Sequence, residues 1–368
     1  MAVSRVLVVG AGVAGLAAAR ALGREGVDVH VVDRRSGPPT EGLGVNLPGN
    51  AVRALRHLGA ADRVLDEGIP VSRREYRAAS GRLLFDVDEA SFWAPVAPSV
   101  CVRRGVLVEA LGAGVDVRWG AAVEAVRTDG SHVLATVAGA EERFDYVVGA
   151  DGIHSVVRDS VAPASPRPSA MTGASWRFVT GNPGVDCYTA WTGHGVTLLL
   201  IPVAPAEVYG YAASNRGGAA GPEPEWLTSA FDRFPEPVRA VAGRAAAGAY
   251  HSPVEEIRVE PWHAPRAVLL GDAAHATGPV WAQGAALAME DALVLARLLG
   301  RADDWTDVGP QWERLRRPRV EHVQAATDRM SGLARLPDLV LRFTAPLLGP
   351  RGYRHAYEPL RPDPLDES

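Results

Sequence analysis

Three glycine-centred segments follow one another along the 368-residue chain, and each has residues suited to holding a phosphate or a sugar hydroxyl. The first, Gly10-Ala11-Gly12-Val13-Ala14-Gly15, has the G-x-G-x-x-G spacing of a dinucleotide-binding turn. Gly10 permits a tight turn, Gly12 lets a pyrophosphate approach the backbone, and Gly15 lets the helix lie close to the strand. The N–H groups at the start of that helix, at Val13 and Ala14, would face the phosphates.

A carboxylate stands 21 residues after the second of these glycines. Asp33 follows a hydrophobic run at positions 27–32, which predicts a buried strand. At the end of such a strand, a carboxylate can accept hydrogen bonds from both hydroxyls of an adenosine ribose and would repel a 2′-phosphate. The segment therefore predicts FAD or NAD rather than NADP, and we include Arg34, beside Asp33, among the candidate cofactor-binding residues.

The second and third segments supply further polar groups at predicted strand ends. The second is Asp151-Gly152-Ile153-His154-Ser155-Val156-Val157-Arg158, and the third is Gly271-Asp272-Ala273-Ala274-His275, followed by Pro279 and Gln283-Gly284. The carboxylate of Asp272 could accept hydroxyl hydrogen bonds. The backbone at Gly284 and Ala285 can begin a helix whose N–H groups stabilise negative charge on a bound ring.

The order of these segments resembles that of the class A flavoprotein monooxygenases, the family of para-hydroxybenzoate hydroxylase and salicylate hydroxylase. The resemblance extends from Val3 to about Ala292. It implies FAD as the cofactor, with Asp151 in the segment that contacts pyrophosphate and NAD(P)H, and Asp272 on the ribityl chain. Arg104 resembles the arginine of the family's Arg-x-x-Leu element near the flavin. We interpret His275 as a hydrogen-bonded structural residue rather than a catalytic base.

The resemblance also implies a reaction. In this family FAD is reduced by NADH or NADPH and reacts with molecular oxygen to give a flavin C4a-hydroperoxide, which transfers one oxygen atom. We therefore expect a single-component monooxygenase that hydroxylates or epoxidises an aromatic or polycyclic small molecule, with secondary metabolism and antibiotic biosynthesis as the expected setting. The chain has one G-x-G-x-x-G, which suits a nicotinamide that visits transiently. The sequence identifies no catalytic base.

Two departures from the family pattern leave alternatives open. The family commonly has Gly-Gln-Gly where this chain has Ala282-Gln283-Gly284, and often asparagine where this chain has Ala286. An FAD-dependent oxidoreductase or dehydrogenase without oxygen insertion is one alternative. A flavin-binding scaffold that cyclises its ligand is the other. Flavin halogenases are disfavoured, because the chain has neither their Trp-x-Trp-x-Ile-Pro motif nor any lysine.

The candidate substrate residues are aromatic or cationic and lie on or beside predicted strands. Alternation places the side chains of Tyr209 and Tyr211 on one face of a sheet. Arg177 could hold a phenolate or a carboxylate. The full set of substrate candidates is Arg177, Trp191, His194, Tyr209, Tyr211 and Trp281.

Composition excludes several other classes of protein. The formal net charge is -5 without a long run of like charge, so nucleic acid is not an expected partner. No apolar run reaches the roughly 18 residues that span a bilayer, and no metal site is evident. The two cysteines, Cys101 and Cys187, are too few for a disulfide framework. We expect a cytoplasmic monomer or homodimer.

These residues require an α/β fold to position them. We predict a Rossmann-like FAD-binding domain with a parallel sheet (1–72, 101–167 and 266–335), interrupted by a β-rich substrate domain (73–100 and 168–265). A C-terminal helical segment (336–368) follows. Buried parallel strands are predicted at 5–9, 27–32, 115–119, 146–149 and 267–270, and antiparallel strands at 174–180, 188–192, 196–201 and 207–213. A helix from Asn50, as its N-cap, to Leu58 is also predicted.

Overall fold

The structure is a computed structural model that describes residues 4–38, 43–215, 220–334 and 337–366. Its strands, in chain order, are β1 (Arg5–Val9), β2 (Asp28–Asp33), β3 (Gly44–Leu47), β4 (Ile69–Pro70), β5 (Arg73–Ala78), β6 (Leu83–Asp88), β7 (Val100–Arg103), β8 (Val117–Trp119), β9 (Val123–Asp129), β10 (His132–Val137), β11 (Ala140–Phe144), β12 (Tyr146–Gly149), β13 (Arg167–Pro168), β14 (Ala174–Gly181), β15 (Tyr188–Gly193), β16 (Val196–Ala204), β17 (Glu207–Ser214), β18 (Tyr250–Pro253), β19 (Glu255–Glu256), β20 (His263–Ala264) and β21 (Ala267–Leu269).

The helices, in chain order, are α1 (Val13–Arg24), α2 (Gly49–Leu58), α3 (Ala61–Glu67), α4 (Glu89–Trp93), α5 (Arg104–Gly112), α6 (Val156–Val161), α7 (Glu225–Ala230), α8 (Val238–Ala245), α9 (Asp272–His275), α10 (Gly284–Arg301), α11 (Val308–Leu333) and α12 (Asp338–Tyr357). Two short 3-10 helices cover Pro279–Trp281 and Glu358–Leu360.

A six-stranded sheet in the order β20-β21-β12-β1-β2-β8 forms the centre of the first half of the fold. All of its neighbouring strands are parallel except the edge strand β20. The central strand β1 is buried along Val6–Val9, as expected for a parallel strand covered on both faces. Helices α1 and α10 pack against each other beside this sheet. The α/β class with a parallel sheet, predicted from the sequence, is therefore confirmed.

A seven-stranded sheet in the order β18-β14-β17-β16-β15-β5-β6 forms the second half. It is antiparallel except for the β15–β5 pair. On one side, the outer face, Trp176, Phe178 and Leu198 pack in a cluster that also contains residues of α7 and α8. On the other side, the inner face, Tyr188 and Ile201 pack with Cys101 of β7. The inner face therefore meets the small sheet β3-β7-β4, which continues the first half of the molecule.

Several predicted elements differ from the structure. Asn50 does not cap α2: the N-cap is Pro48, and the buried Asn50 side chain bonds Gln283 and Glu290 instead. Gly59 does end this helix in the left-handed conformation. An antiparallel sheet, β11-β10-β9, lies where the sequence analysis placed no strands. The domain boundaries stay a prediction.

Candidate functional site

The three glycine-centred segments and Asp33 meet at one edge of the six-stranded sheet. Val9 pairs with Gly149, and Gly149 pairs with Leu269, so the strands before all three segments end level with one another. The pairing continues past the strand ends, where the N–H groups of Gly10, Ala150 and Leu270 donate to carbonyls of the adjacent strands. The carboxyl edge of a parallel sheet is where nucleotides bind in folds of this kind.

The first glycine segment has the shape that a pyrophosphate requires. At Gly10 the φ angle is 102°, and a Cβ atom would lie 2.5 Å from the Ala150 carbonyl oxygen. At Gly15 a Cβ would lie 1.7 Å from the Gly10 carbonyl oxygen, so the helix could not approach the strand with a larger residue. At Gly12 a Cβ would meet nothing within 4 Å. Gly12 therefore borders open space at the N-terminus of α1, where a helix favours an anion.

Asp33 is held in place by its neighbours. The side chain is buried, and its Oδ2 accepts hydrogen bonds from the Ala11 N–H at 2.7 Å and from Arg35 Nη2 at 2.7 Å. Burial acts to raise the pKa of this carboxyl, but the hydrogen bonds from Arg35 and Ala11 outweigh it and hold the pKa below its ordinary value. Arg35, not Arg34, pairs with Asp33, while Arg34 is exposed. Asp33 is thus ionised and oriented at the edge where a ribose would lie.

The polar side chains of the second segment form hydrogen bonds mainly with other groups of the protein. Asp151 accepts hydrogen bonds from Ser155 Oγ at 2.5 Å and from the Val156 N–H at 2.7 Å. Arg158 is buried and donates to the carbonyl oxygens of Ile153, Ala164 and Ala273. Because Ala273 belongs to the third segment, Arg158 fastens the second segment to the third. The role expected for Asp151 toward a pyrophosphate stays a prediction.

Asp272, in the third segment, lies on the wall of a cavity. Its side chain has accessible surface, yet the protein around it is dense enough that burial raises the pKa of its carboxyl, against the opposing charges of His275, Arg104 and Arg177. Gly284 is adjacent, since a Cβ there would lie 4.0 Å from Asp272 Oδ1.

The third segment also lies next to the open space at the first glycine segment. A Cβ placed on Gly271 would lie 3.1 Å from the Ala14 Cβ, so the third segment is next to the start of α1. We call the space bordered by Gly12, Asp272 and Gly284 the cofactor cavity. Val13, Ala14 and Ala285 are partly exposed around it, and they are the other predicted residues at the two helix N-termini.

Residues of the inner face approach the cofactor cavity from the seven-stranded sheet. Arg177 and Tyr211 are paired across β14 and β17, with the guanidinium carbon 6.0 Å from the centre of the tyrosine ring. Burial raises the pKa of Tyr209 to about 12, although the nearby charges of Arg177 and Arg104 oppose this. Burial likewise raises the pKa of Tyr211. Both tyrosines keep some accessible surface.

Arg104 and Arg103 have separate surroundings. Arg103 forms an ion pair with Glu207 of β17, whereas the charge of Arg104 acts on Asp272 and Tyr209. The exposed Arg104, at the first position of α5, is therefore the arginine directed toward the cofactor cavity.

Two of the predicted substrate residues lie elsewhere. Trp191 is buried on the outer face with Phe178 and Leu198, away from Arg177 and Tyr211 on the inner face, and its role toward a substrate stays a prediction. His194 lies in the turn after β15, where its N–H donates to Asp338 and its ring contacts Phe234 of the same outer cluster. Neither residue lies on the inner face of the seven-stranded sheet.

The loop before α10 brings the last predicted residues to the cofactor cavity. Trp281 is buried, and Ala282 has a left-handed backbone with φ of 52°, the conformation that the family's glycine adopts most readily. Gln283 is fixed by reciprocal hydrogen bonds with Asn50. His275 is buried and bonds Asp291 at 2.7 Å, which supports our interpretation of this histidine as structural.

Other surfaces of the described residues show fewer features of a functional site. A depression of about 360 Å³, bordered among others by Arg24, His57 and Arg297, shares no residue with the cofactor cavity. Within the described ranges there is no group of three or more histidine, cysteine, aspartate or glutamate residues that could hold a metal ion. No described helix is both long and apolar enough to cross a membrane.

The fold and the cavity together define a flavin-dependent oxidoreductase. The family of the FAD binding domain matches residues 3–311, and the chain belongs to this family. It is an FAD-dependent monooxygenase of the class A aromatic hydroxylase type.

Named relatives cover nearly the whole chain. It is 34% identical to a 2-heptyl-3-hydroxy-4(1H)-quinolone synthase of Mycobacteroides abscessus, over 94% of each protein. It is 32% identical to a 3-amino-4-hydroxybenzoate 2-monooxygenase of Streptomyces platensis, over 91% of this chain and 89% of that one. A variant of HpxO from Klebsiella pneumoniae, solved with FAD, shares the fold with a TM-score of 0.88 and 24% identity, over 98% of this chain and all of that one. The monooxygenase interpretation is thus confirmed over the scaffold alternative.

Proposed function

We propose that the chain is a single-component monooxygenase that uses NADH or NADPH and molecular oxygen to hydroxylate a planar aromatic compound bearing an acidic oxygen. The substrate would lie between the inner face of the seven-stranded sheet and the cofactor cavity. One observation carries the proposal: the guanidinium carbon of Arg177 lies 6.0 Å from the centre of the Tyr211 ring, and its buried Nε has no hydrogen-bond partner among the described residues. The charge of Arg177 also lowers the pKa of Asp272 against the effect of burial, which supports a substrate site next to the cofactor cavity.

The roles of the residues follow from their chemistry. When bound, FAD supplies the redox centre that accepts a hydride and activates oxygen. The N-terminus of α1 would hold the pyrophosphate, and Asp33 and Asp272 would accept hydrogen bonds from ribose and ribityl hydroxyls. The N–H groups at Gly284 and Ala285, at the N-terminus of α10, would stabilise negative charge on the ring.

Arg177 is the group that would select the substrate. Among the described residues it has no ion-pair partner within 4.0 Å, and its Nε makes no hydrogen bond although it is buried. A phenolate, enolate or carboxylate could satisfy this cation. Tyr209 and Tyr211 would supply aromatic contact area. The names of the two relatives include such oxygen-bearing rings, a hydroxyquinolone and an aminohydroxybenzoate, which supports this class of substrate.

The proposal also covers the compartment, the assembly and the nicotinamide binding of the enzyme. Cys101 and Cys187 are both buried free thiols, which suits the reducing cytoplasm. We retain a monomer or a homodimer as the expected assembly. One dinucleotide segment serves FAD, so the nicotinamide would bind only transiently.

The proposal is tested by anaerobic reduction of the bound flavin with NADH and with NADPH, followed by absorbance. The panel contains 4-quinolones, aminohydroxybenzoates, and matched compounds without the acidic oxygen. We expect one oxygen-bearing compound to accelerate reduction. In a separate aerobic turnover under ¹⁸O₂, its product should gain one labelled atom. A substrate that is oxidised without gaining ¹⁸O would instead establish the dehydrogenase alternative.

A further inference from the structure

One face of the last two turns of α12 is buried. Tyr353 and Tyr357 are 2% and 0% exposed, whereas the first half of the helix is largely solvent-exposed. The two tyrosines pack against each other and against Trp93, and they are more than 260 residues from their hydrogen-bond partners Arg74 and Glu89. The C-terminal helix therefore contributes side chains to a region formed by the start of the substrate sheet.

An ion pair lies at the centre of this region. Arg74 of β5 and Glu89 of α4 are both fully buried and are joined by two hydrogen bonds. Glu89 also accepts hydrogen bonds from Ser99 and from the Tyr353 hydroxyl. The guanidinium of Arg74 lies over the rings of Tyr188, Tyr353 and Tyr357. Such a pair fixes geometry more than it adds stability, because desolvation of both charges offsets their attraction.

The hydroxyl of Tyr357 extends this network to the loop before α10. Arg74 Nη1 donates to Tyr357 Oη at 3.2 Å, and the Tyr357 hydroxyl donates to the Trp281 carbonyl at 2.8 Å. The directions are unambiguous, because a guanidinium has no acceptor and a carbonyl oxygen has no donor. One hydroxyl thus joins the substrate sheet, the C-terminal helix and the loop.

Trp281 contacts Tyr357 through its ring as well as through its carbonyl. Its ring meets Tyr357 edge-on at 5.7 Å, and its buried Nε1 has no hydrogen-bond partner among the described residues. Two residues further on, Gln283 is held by Asn50. Between these two anchors Ala282 keeps a left-handed backbone. The loop is therefore fixed at Trp281 and at Gln283, directly before Gly284 at the cofactor cavity.

We propose that Tyr357 is a positioning residue, which sets the loop at 279–284 and with it the N-terminus of α10 relative to Asp272. It acts through the Trp281 carbonyl and contacts the cofactor site only indirectly. The inference rests on the FAD site of the family and not on the identity of the substrate. Because Arg74 belongs to β5 of the seven-stranded sheet, the same hydroxyl couples that sheet to the cofactor cavity.

The test compares Tyr357→Phe with Tyr353→Phe as a matched control. Each variant removes one buried hydroxyl from the same helix and the same ion-pair network, but Tyr353 bonds Glu89 and Trp93 rather than the loop. Hydrogen exchange of the peptide containing 279–287 is measured in the apoprotein, and the FAD dissociation constant is measured by titration. Neither measurement requires a substrate or a nicotinamide.

For Tyr357→Phe we expect faster exchange in this peptide and an FAD dissociation constant about three- to tenfold higher, the effect of one lost hydrogen bond. For Tyr353→Phe we expect both values to stay within about twofold of wild type, even where the melting temperature falls. Equal effects in the two variants, or unchanged loop exchange in Tyr357→Phe, would overturn the proposal. A substrate panel without a hit would leave it intact.

Discussion

At the scale of single residues, Arg177 is the side chain that we propose selects the substrate. Replacing it with alanine should raise KM for an acidic aromatic substrate by about 10- to 100-fold, which corresponds to about 1.5–3 kcal/mol for a hydrogen bond to a charged group. Arg244→Ala is the matched control, because that exposed arginine lies on α8, behind the outer face. Steady-state kinetics with the compound identified by flavin reduction gives the comparison. Unchanged KM and kcat in Arg177→Ala would remove this residue from the site.

Asp272 predicts a pH dependence with a defined sign. Burial raises the pKa of this carboxyl above its ordinary value of 3.8, so the folded apoprotein binds the proton more tightly than the unfolded chain does. Its contribution to stability is therefore lost as pH rises through the raised pKa. Sugar hydroxyls donate to the ionised form, so FAD binding should weaken as pH falls through that same pKa.

Asp272→Asn should separate these two effects. The apoprotein should be at least as stable as wild type at pH 7, because no charge is buried, while FAD should bind about tenfold more weakly through loss of a charged hydrogen bond. Thermal unfolding of the apoprotein and FAD titrations between pH 4.5 and 8 measure both. If wild type and variant show parallel pH profiles for FAD affinity, another group is responsible.

At the scale of secondary-structure elements, Arg158 connects the second and third glycine-centred segments. Its three hydrogen bonds go to backbone carbonyls at Ile153, Ala164 and Ala273, and none of these bonds can be replaced by a methionine side chain. Arg158→Met should lower the free energy of unfolding by about 3 kcal/mol, since each of the three hydrogen bonds contributes about 1 kcal/mol. Urea unfolding of the apoprotein measures this. Arg158→Lys keeps the charge but not the planar fork, and should recover only part of the loss.

The sequence predicted the elements that depend on local pattern. Continuous hydrophobic runs identified β1, β12 and β21, and the glycine and aspartate residues directly after them lie at one sheet edge, as parallel strands require. The faces of the seven-stranded sheet were harder to predict. Both of its faces are covered, so aromatic residues occur on each, and alternation alone could not show that Trp191 faces outward while Tyr209 faces inward.

Contacts between distant residues were also beyond the sequence. Asn50 fits an N-cap by residue type, but its amide is used by Gln283, 233 residues away. Arg34 and Arg35 differ only by one position, and the turn after β2 directs the second toward Asp33. Tyr357 carried no motif at all, and its importance depends on Arg74 and Trp281, which only the folded chain brings together.

At the scale of the whole molecule, the cofactor cavity joins two parts of the chain that are more than 200 residues apart. Gly12 and Asp272 each follow a different strand of one sheet, so FAD bound there would stabilise the native state without binding the unfolded chain. At a free FAD concentration 100 times the dissociation constant, this linkage adds about 2.7 kcal/mol to the free energy of unfolding. The melting temperature should therefore rise with the logarithm of FAD concentration.

Asp272→Ala and Arg177→Ala provide opposite controls for this rise. The first removes a predicted FAD contact, so its melting temperature should respond only at much higher FAD concentrations. The second alters the proposed substrate residue, so its melting temperature should respond to FAD as that of wild type does. We expect the two slopes to agree within about 1 °C per tenfold change in FAD, because 1 kcal/mol of stabilisation shifts the melting temperature by about 2–4 °C. Differential scanning fluorimetry over a thousandfold range of FAD measures all three proteins. A wild-type response retained in Asp272→Ala would show that the cofactor is held without this carboxylate, whereas a response lost in Arg177→Ala would mean that cofactor and substrate share the arginine.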